Sequence, residues 1–551
     1  SNFNINKNRN IYLKIGLNNE NSNATYTGLT EYSYNNDPNF NSKKDDNFKI
    51  FRTSLDIIET KKISNDFIST KKLYGSYFDR RWWREEDIFI KANTFGSDNP
   101  EILAPGSPFD MIRTGHGSNN FGILRTFYTL GYEHKYANKS DLFGYESQLE
   151  YSGRLYWERF IDDKKIGDSP SARDGIYYEP LEICNVDLDS QNNCDNFSDL
   201  NGNGIFDATE TIVGQSHHYE TTAFSAYITV STDLDFITIN SGLRLELFEQ
   251  ERIDRLNGSS YLDKTTFEIL PSISFIRSYN GINIFGGIHR GYTSPSSGTI
   301  KVTNFIPDNP SPAGGLDLKS EKSWNKELGI RSTSDLSMMN YEFSLFHLDI
   351  EDMVAAGRGT VFENLGKATM YGTELSLQID FSKSAMTFLP DLSITHTLMQ
   401  SKVKEGLLSQ YSFISTGGPI SIAGNALPYI PENTLLIGFE KSLIKNLMLR
   451  FDYKYFGEVY TDFHNLEESE CRNYCNLGIM GPVPSYSIMN ASLLYNLSNK
   501  ISFDLVIKNV TDNIYIGSRL HSNPDQTAAS SSSGIIIGPR RQINFGIKYI
   551  F

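Results

Sequence analysis

The sequence predicts an all-β chain, an antiparallel transmembrane β-barrel with long extracellular loops and short periplasmic turns. Three observations carry this. Aromatic residues are unusually frequent, apolar and polar residues alternate in segments of membrane-crossing length, and the connections between those segments are by turns short and long.

Of the 551 residues 39% are hydrophobic, yet aromatic residues reach 13%, with 31 Tyr and 35 Phe. Mean hydropathy is only −0.38. A membrane barrel reconciles the two, because lipid meets every second residue of a strand while aromatic girdles mark both interfaces. No apolar run of the roughly eighteen residues a helical span needs occurs. The chain opens on Ser1 with no basic and apolar leader, so any secretory signal is expected to have been removed or to lie outside it.

In chain order, strands are expected near 10–17, 48–59, 66–80, 121–136, 142–159, 220–232, 235–250, 265–278 and 281–292. The series continues near 323–333, 337–350, 369–382, 387–400, 433–442, 446–459, 485–497, 500–511 and 540–551, giving about 18. Alternation assigns faces. Leu149, Tyr151, Leu155 and Trp157 point outward against Gln148, Glu150, Arg154 and Glu158, and Leu447, Leu449, Phe451, Tyr453 and Tyr455 against Arg450, Asp452 and Lys454. Ile239, Leu243, Leu245 and Leu247 repeat the pattern, as do the odd positions of Gln542–Phe551.

A soluble sandwich also alternates, so the loops decide. Links at 61–65, 138–141, 232–233, 279–280 and 498–499 read as periplasmic turns, whereas 81–120, 160–219, 293–322, 401–432, 460–484 and 512–539 read as external loops rich in Gly, Ser, Asn, Asp and Pro. A sandwich has no cause for such two-sided asymmetry.

The net charge of −15 argues against nucleic acid as a partner. Cys184 with Cys194 and Cys471 with Cys475 fall in polar loops; two local disulfides in an oxidising compartment are the simplest reading, although four cysteines allow three pairings, and zinc is the weaker alternative for want of companion ligands. The segment 199–210 fits a twelve-residue calcium loop. Asp199, Asn201, Asn203, the Ile205 carbonyl, Asp207 and a bidentate Glu210 supply oxygens, and Gly204 permits the turn. A polar loop with accidental spacing is the alternative, since flanking helices are not evident. His217, His218 and Glu220 read as solvated rather than metal-binding, and no motif for catalysis appears.

The C-terminal region carries a family resemblance. Lys508-Asn509-Val510-Thr511-Asp512-Asn513-Ile514-Tyr515, followed by Gly538-Pro539-Arg540-Arg541 and a last strand ending in Phe551, resembles the closing segment of TonB-dependent outer-membrane receptors. Gly291-Tyr292-Thr293-Ser294-Pro295, Leu318–Arg331 and Asn364-Leu365-Gly366-Lys367-Ala368 are similar to mid-barrel segments of that family. Tyr26–Thr30, Asp45–Phe48 and Arg80–Arg84 look most like its ferric dicitrate branch. The resemblance implies the outer membrane of a Gram-negative bacterium, with its lipid and lipopolysaccharide as surroundings. It also implies import of a ferric siderophore or ferric citrate, and a TonB-ExbB-ExbD complex acting through an N-terminal plug. The family pattern is a barrel of about 22 strands around such a plug. Against it the plug, the TonB box and about four strands are missing before Ser1, so the resemblance implies a fragment or a truncated product. A passive or substrate-specific porin, a haem or cobalamin receptor, and a surface adhesin are the alternatives.

Arginines and aromatics gather where an external anion would dock: Arg80, Arg81, Trp83 and Arg84 after the third strand, then Arg113 and His116, with Arg159 and Arg290 at the tops of later strands. Guanidinium forks bind carboxylate-rich chelates bidentately. Pairing with lumen carboxylates or with lipopolysaccharide phosphates is the alternative for each arginine.

Overall fold

The computed structural model describes the chain except residues 1, 26, 86–87, 99–110, 116–118, 178–215, 256–259, 296–317, 333–337, 357–361, 409–419, 466, 468–480, 521–533 and 551. His116, the loop Asp199–Glu210 and the four cysteines Cys184, Cys194, Cys471 and Cys475 therefore lie outside the described residues.

The elements in order are β1 (Asn2–Asn6), β2 (Arg9–Ser22), α1 (Glu31–Asn36), β3 (Asn47–Lys62), β4 (Phe67–Glu85), β5 (Ile88–Lys91), β6 (Met111–Thr114), β7 (Asn120–Leu142), β8 (Tyr145–Gly167), β9 (Ile176–Tyr177), β10 (Ser216–Asp233), β11 (Thr238–Asp254) and β12 (Ser260–Tyr279). There follow β13 (Ile282–Thr293), β14 (Glu321–Ser332), β15 (Met339–Ala356), β16 (Phe362–Ile379), β17 (Asp391–Leu408), β18 (Ile420–Ser421), β19 (Asn433–Ile444), β20 (Leu447–Phe456), β21 (Tyr486–Asn496), β22 (Ile501–Lys508), β23 (Ile516–Arg519), β24 (Ile535–Ile537) and β25 (Gln542–Tyr549).

One antiparallel sheet of 21 strands dominates, and two of its members, β9 and β18, are two-residue additions on β8 and β17. The other nineteen form the wall, each paired with its neighbours in chain order, and β1 and β25 are the ends of the described sheet. All eighteen expected strands are present. The nineteenth, β1, was too short to show a pattern. The turn expected at 138–141 sits instead at Phe143-Gly144, where φ values of 58° and 86° fit the primed hairpin turn that right-handed strand twist prefers. Asn280-Gly281, at 47° and 79°, makes the same turn.

The wall is taller than a membrane. β7 and β8 pair without interruption over 23 residues, roughly 75 Å of chain, whereas a tilted crossing takes about ten residues. On the outer face, Phe67, Tyr136 and Tyr151 stack in line at 5.5 and 5.2 Å as the lower girdle, and Tyr77 with Tyr128 at 5.3 Å belong to the upper one. Exposed Leu73, Leu130 and Leu155 fill the band between. Everything on β4, β7 and β8 beyond Tyr77 and Tyr128 therefore stands above the membrane.

Two features shape that upper part. The β12–β13 ladder stops at Ser272 and His289, and above it the β13–β14 hairpin leans inward. There Tyr292 stacks on lumen-facing Phe248 at 6.2 Å, Gln250 Nε2 donates to the Pro295 carbonyl at 3.0 Å, and Lys322 pairs with Glu268 at 3.0 Å. Across the barrel, segments from the two ends of the chain meet. Leu29 and Ile535 exchange backbone hydrogen bonds of 2.7 and 3.0 Å, and both join a buried cluster with Val483 and Ile516. Below it Asn509, buried at φ 48°, donates to the carbonyls of Asn513 and Pro539, while Arg540 grips Asp512 through Nε and Nη2 at 3.0 and 2.6 Å. These bonds are the physical content of the C-terminal motif: they tie β22 to β25 at the extracellular end.

Candidate ligand-binding site

The strand period of two sorts the expected ligand residues onto opposite faces. β4 runs on to Glu85 instead of ending near 80, so Arg80 and Arg81 cannot point the same way. Register settles which is which. Leu73, Gly75 and Tyr77 oppose Tyr132, Leu130 and Tyr128 on the lipid side, and Asp79, Arg81 and Trp83 continue that file. Phe78, Arg80, Trp82 and Arg84 face the lumen.

Two cross-strand rows build the lumen surface above the membrane. The lower is aromatic: Phe78, Phe127, Phe160 and Tyr219 are register partners on β4, β7, β8 and β10, with ring centroids 5.4, 4.5 and 5.4 Å apart in succession. Arg252 on β11 ends this row with its guanidinium 5.3 Å from the Tyr219 ring. The upper row is charged, with Arg80, Arg125, Asp162 and His217 as partners on the same four strands. Arg125 donates through Nε to Asp162 at 2.9 Å and covers Phe160 at 5.6 Å. Higher still, Arg84 lies 5.9 Å from the Trp82 ring and 5.5 Å from Phe121, and Arg80 lies 5.6 Å from the same indole.

These contacts set the electrostatics. Asp162, 4% exposed, is the acid of the charged row and answers Arg125. Burial, and then the neighbouring Arg125, lowers the pKa of the Arg80 guanidinium, which stays charged at neutral pH. The Arg80 Nε is buried without a hydrogen-bond partner among the described residues. His217, 2% exposed, is pushed down to about 2 by burial and then by Arg252 and Lys164, so it stays neutral and adds no charge. Arg80, Arg84 and Arg125 remain half-open to the lumen, with Trp82 between the first two, while Arg252 and His217 stand behind them. The arrangement suits an anion of several carboxylates or phenolates, since planar donors surround a concave surface with aromatic flanks.

The expected pocket is thus corrected in membership. Arg80 and Arg84 share the lumen. Arg81 and Trp83 stand on the outer face, where Trp83 is buried over Gly122. Arg159 continues the outward file of Leu155 and Trp157, and its guanidinium meets Glu220 at 2.8 Å, the carboxylate that also accepts from Trp157 Nε1. Arg290 lies on the outward register of β13, paired with Glu351 at 2.7 Å and over Trp324 at 5.3 Å. Arg113 is buried in the β5–β6 hairpin against Phe89 at 5.6 Å. His217 and His218 fall on opposite faces, so they do not converge on one ion. Sequence reading missed Trp82, Arg125, Asp162 and Arg252. Their signal was present, because Arg125 alternates with Phe127 on an expected strand, but the face assignment had not been carried past the membrane.

Comparison with known proteins gives the same architecture. A family model described as "TonB dependent receptor-like, beta-barrel" matches residues 1–510. The Probable TonB-dependent siderophore receptor PirA of Acinetobacter baumannii is 26% identical over 289 residues, 44% of this chain. That match spans only 34% of the relative's own length. The ferric citrate transporter FecA in unliganded form superposes on 100% of the chain with a TM-score of 0.71 at 13% identity, over 69% of its own length. The ferric-catecholate import receptor Fiu of E. coli K12 in closed form does so with a TM-score of 0.68 at 12% identity, over 73% of its length. At such identities the structural likeness speaks for fold.

Proposed function

The chain belongs to the TonB-dependent receptor-like β-barrel family, and from that premise we propose that it is the outer-membrane wall and extracellular rim of a receptor importing a ferric chelate. The observation that carries the substrate class is the lumen-facing set Arg80, Arg84 and Arg125 flanked by Trp82, a cationic, aromatic-lined surface in a molecule of net charge −15. Such a basic patch within an acidic protein steers anions to itself. Ferric dicitrate or a similar siderophore has the matching chemistry, and the printed names of the relatives, a siderophore receptor, a ferric citrate transporter and a ferric-catecholate receptor, support that class.

The remaining parts of the reading follow from the family. The wall stands in the outer membrane of a Gram-negative bacterium, among its lipid and lipopolysaccharide, and transport is driven by a TonB-ExbB-ExbD complex acting on a plug. The loop Asp199–Glu210 holds a structural Ca2+, supported by its ligand spacing, and Cys184 with Cys194 and Cys471 with Cys475 form local disulfides. Calorimetric titration of the full-length receptor with Ca2+, repeated on Glu210→Gln, tests the former: heat in the parent that the variant loses supports it, and equal heats dismiss it.

Uptake of radiolabelled iron by cells expressing the full-length receptor decides the main proposal. Energy-dependent uptake of ferric citrate or another anionic chelate, abolished in Arg80→Ala/Arg84→Ala/Arg125→Ala, is the expected result. Uptake that survives de-energisation and the triple substitution would leave a passive porin in its place.

A further inference from the structure

The outer wall carries a second charged surface that the lumen site does not use. Asn21, Lys49 and Arg81 are direct cross-strand neighbours on β2, β3 and β4. In the next file outward, Asn47 opposes Trp83, and Lys165 follows across Gly122. With Arg173 these side chains line one depression. It shares the face of Tyr77 and Tyr128. Arg81 is four residues beyond Tyr77, roughly 13 Å along the strand and about 10 Å above the girdle for a tilt of about 40°. That is the height of lipid headgroups.

The depression is basic in an acidic molecule. Lys49, Arg81, Lys165, Arg173 and Arg255 stand against Asp79, Asp163 and Asp174, an excess of two positive charges where the whole chain carries −15. Lys49 is exposed and has no ion pair among the described residues. Arg173 is held in place by Nη2 donating to the Asp45 carbonyl at 2.8 Å. Lys49 and Lys165 are three strands apart, about 14 Å at the spacing of a sheet, too wide for one phosphate and suited to two. Between Asn21 and Asn47 an amide pair bonded at 2.9 Å presents polar edges of the kind that take sugar hydroxyls.

We infer that this depression binds the phosphorylated disaccharide headgroup of lipopolysaccharide, holding the receptor's outer wall to the surrounding leaflet. The inference rests on the outer-membrane placement proposed above. Arginine and lysine at a surface of this polarity neutralise phosphates by charge-assisted hydrogen bonds, and Trp83, buried beneath, keeps the floor rigid.

The test compares the full-length receptor with Lys49→Glu/Arg81→Glu/Arg173→Glu, both purified from outer membranes and examined by native mass spectrometry for bound lipopolysaccharide. The parent should retain it, and the triple variant should retain at least tenfold less. A Lys49→Arg/Arg173→Lys variant should bind as the parent does, which separates loss of charge from misfolding. Reconstitution in nanodiscs of phosphatidylglycerol alone, with and without inorganic phosphate, supplies the other anions; displacement of bound lipopolysaccharide by either at equal concentration would overturn the assignment to its headgroup. Equal lipopolysaccharide in parent and triple variant would overturn the site. Arg80→Glu should leave the bound lipid unchanged while lowering chelate binding. Membrane fractionation reports on the outer-membrane placement independently: a receptor that sediments with another membrane removes the premise, not the site.

Discussion

Arg80 and Arg81 are adjacent in sequence and opposite in direction, which makes their single alanine variants a stringent comparison. Arg80 looks into the lumen beside Arg125 and Trp82, whereas Arg81 pairs with Asp79 at 2.7 Å on the outer wall. A hydrogen bond to a charged group is worth about 1.5–3 kcal/mol, and each 1.4 kcal/mol is tenfold in affinity, so losing one arginine contact to an anionic chelate weakens binding about 10- to 150-fold. Arg80→Ala should show this loss. It should not cost stability of the same size, because removing one of two neighbouring guanidiniums relieves repulsion that now depresses the Arg80 pKa. Arg81→Ala should change affinity by less than about twofold, since exposed ion pairs contribute about 0–1 kcal/mol and none of that acts on the lumen. Calorimetric titration of each full-length variant with ferric citrate gives the numbers directly, with the catecholate class as a second probe. A loss in Arg81→Ala equal to that in Arg80→Ala would refute the face assignment, whatever the ligand proves to be.

Other consequences are open to measurement. Asp162→Asn removes the acid that answers Arg125 at 2.9 Å, and breaking a buried pair from one side costs about 3 kcal/mol, so urea unfolding in micelles should shift accordingly; an unchanged midpoint means that Arg125 finds another acceptor. His217 has a folded pKa of about 2, below its ordinary 6.5, so the unfolded chain binds the proton first. Stability from this residue is therefore intact above pH 6.5 and falls as pH drops from there towards 2. The loss between pH 6 and 4 is about 2 kcal/mol, and His217→Gln should lack it. A Cβ at Gly122 would stand 2.8 Å from the Trp83 ring, so Gly122→Val should lower stability by about 1–3 kcal/mol, seen as an earlier loss of heat-resistant mobility in detergent gels. A parental profile would show Trp83 free to move.

The wall was legible in the sequence because lipid imposes a strict period of two over ten or so residues. Where that pressure ends, the reading lost its guide. β4 was cut near 80 because Asp79, Arg80 and Arg81 break the apolar file, although the ladder to β7 runs on unbroken to Glu85. Extending the parity of Leu155 and Trp157 by two residues would have placed Arg159 outside the barrel. By contrast, nothing local announces the inward lean of β13–β14, which depends on Tyr292 finding Phe248 and Lys322 finding Glu268 across the lumen. The buried pair Arg125 and Asp162 was hidden for the same reason, since partners 37 residues apart are joined only by register.

The meeting of Leu29 with Ile535 has a temporal meaning as well as a spatial one. The two residues lie at opposite ends of a chain of 551, so their contact cannot form until nearly all of it has been made and laid down strand by strand. Bringing such distant segments together is entropically dear, yet the logarithmic dependence on length means that most of the cost is removed once the intervening hairpins have ordered the path. The latch is thus the last contact to close and the first that an assembly failure would leave undone. Digestion by a protease at 23–46 would then report, from outside the cell, whether the barrel had finished folding.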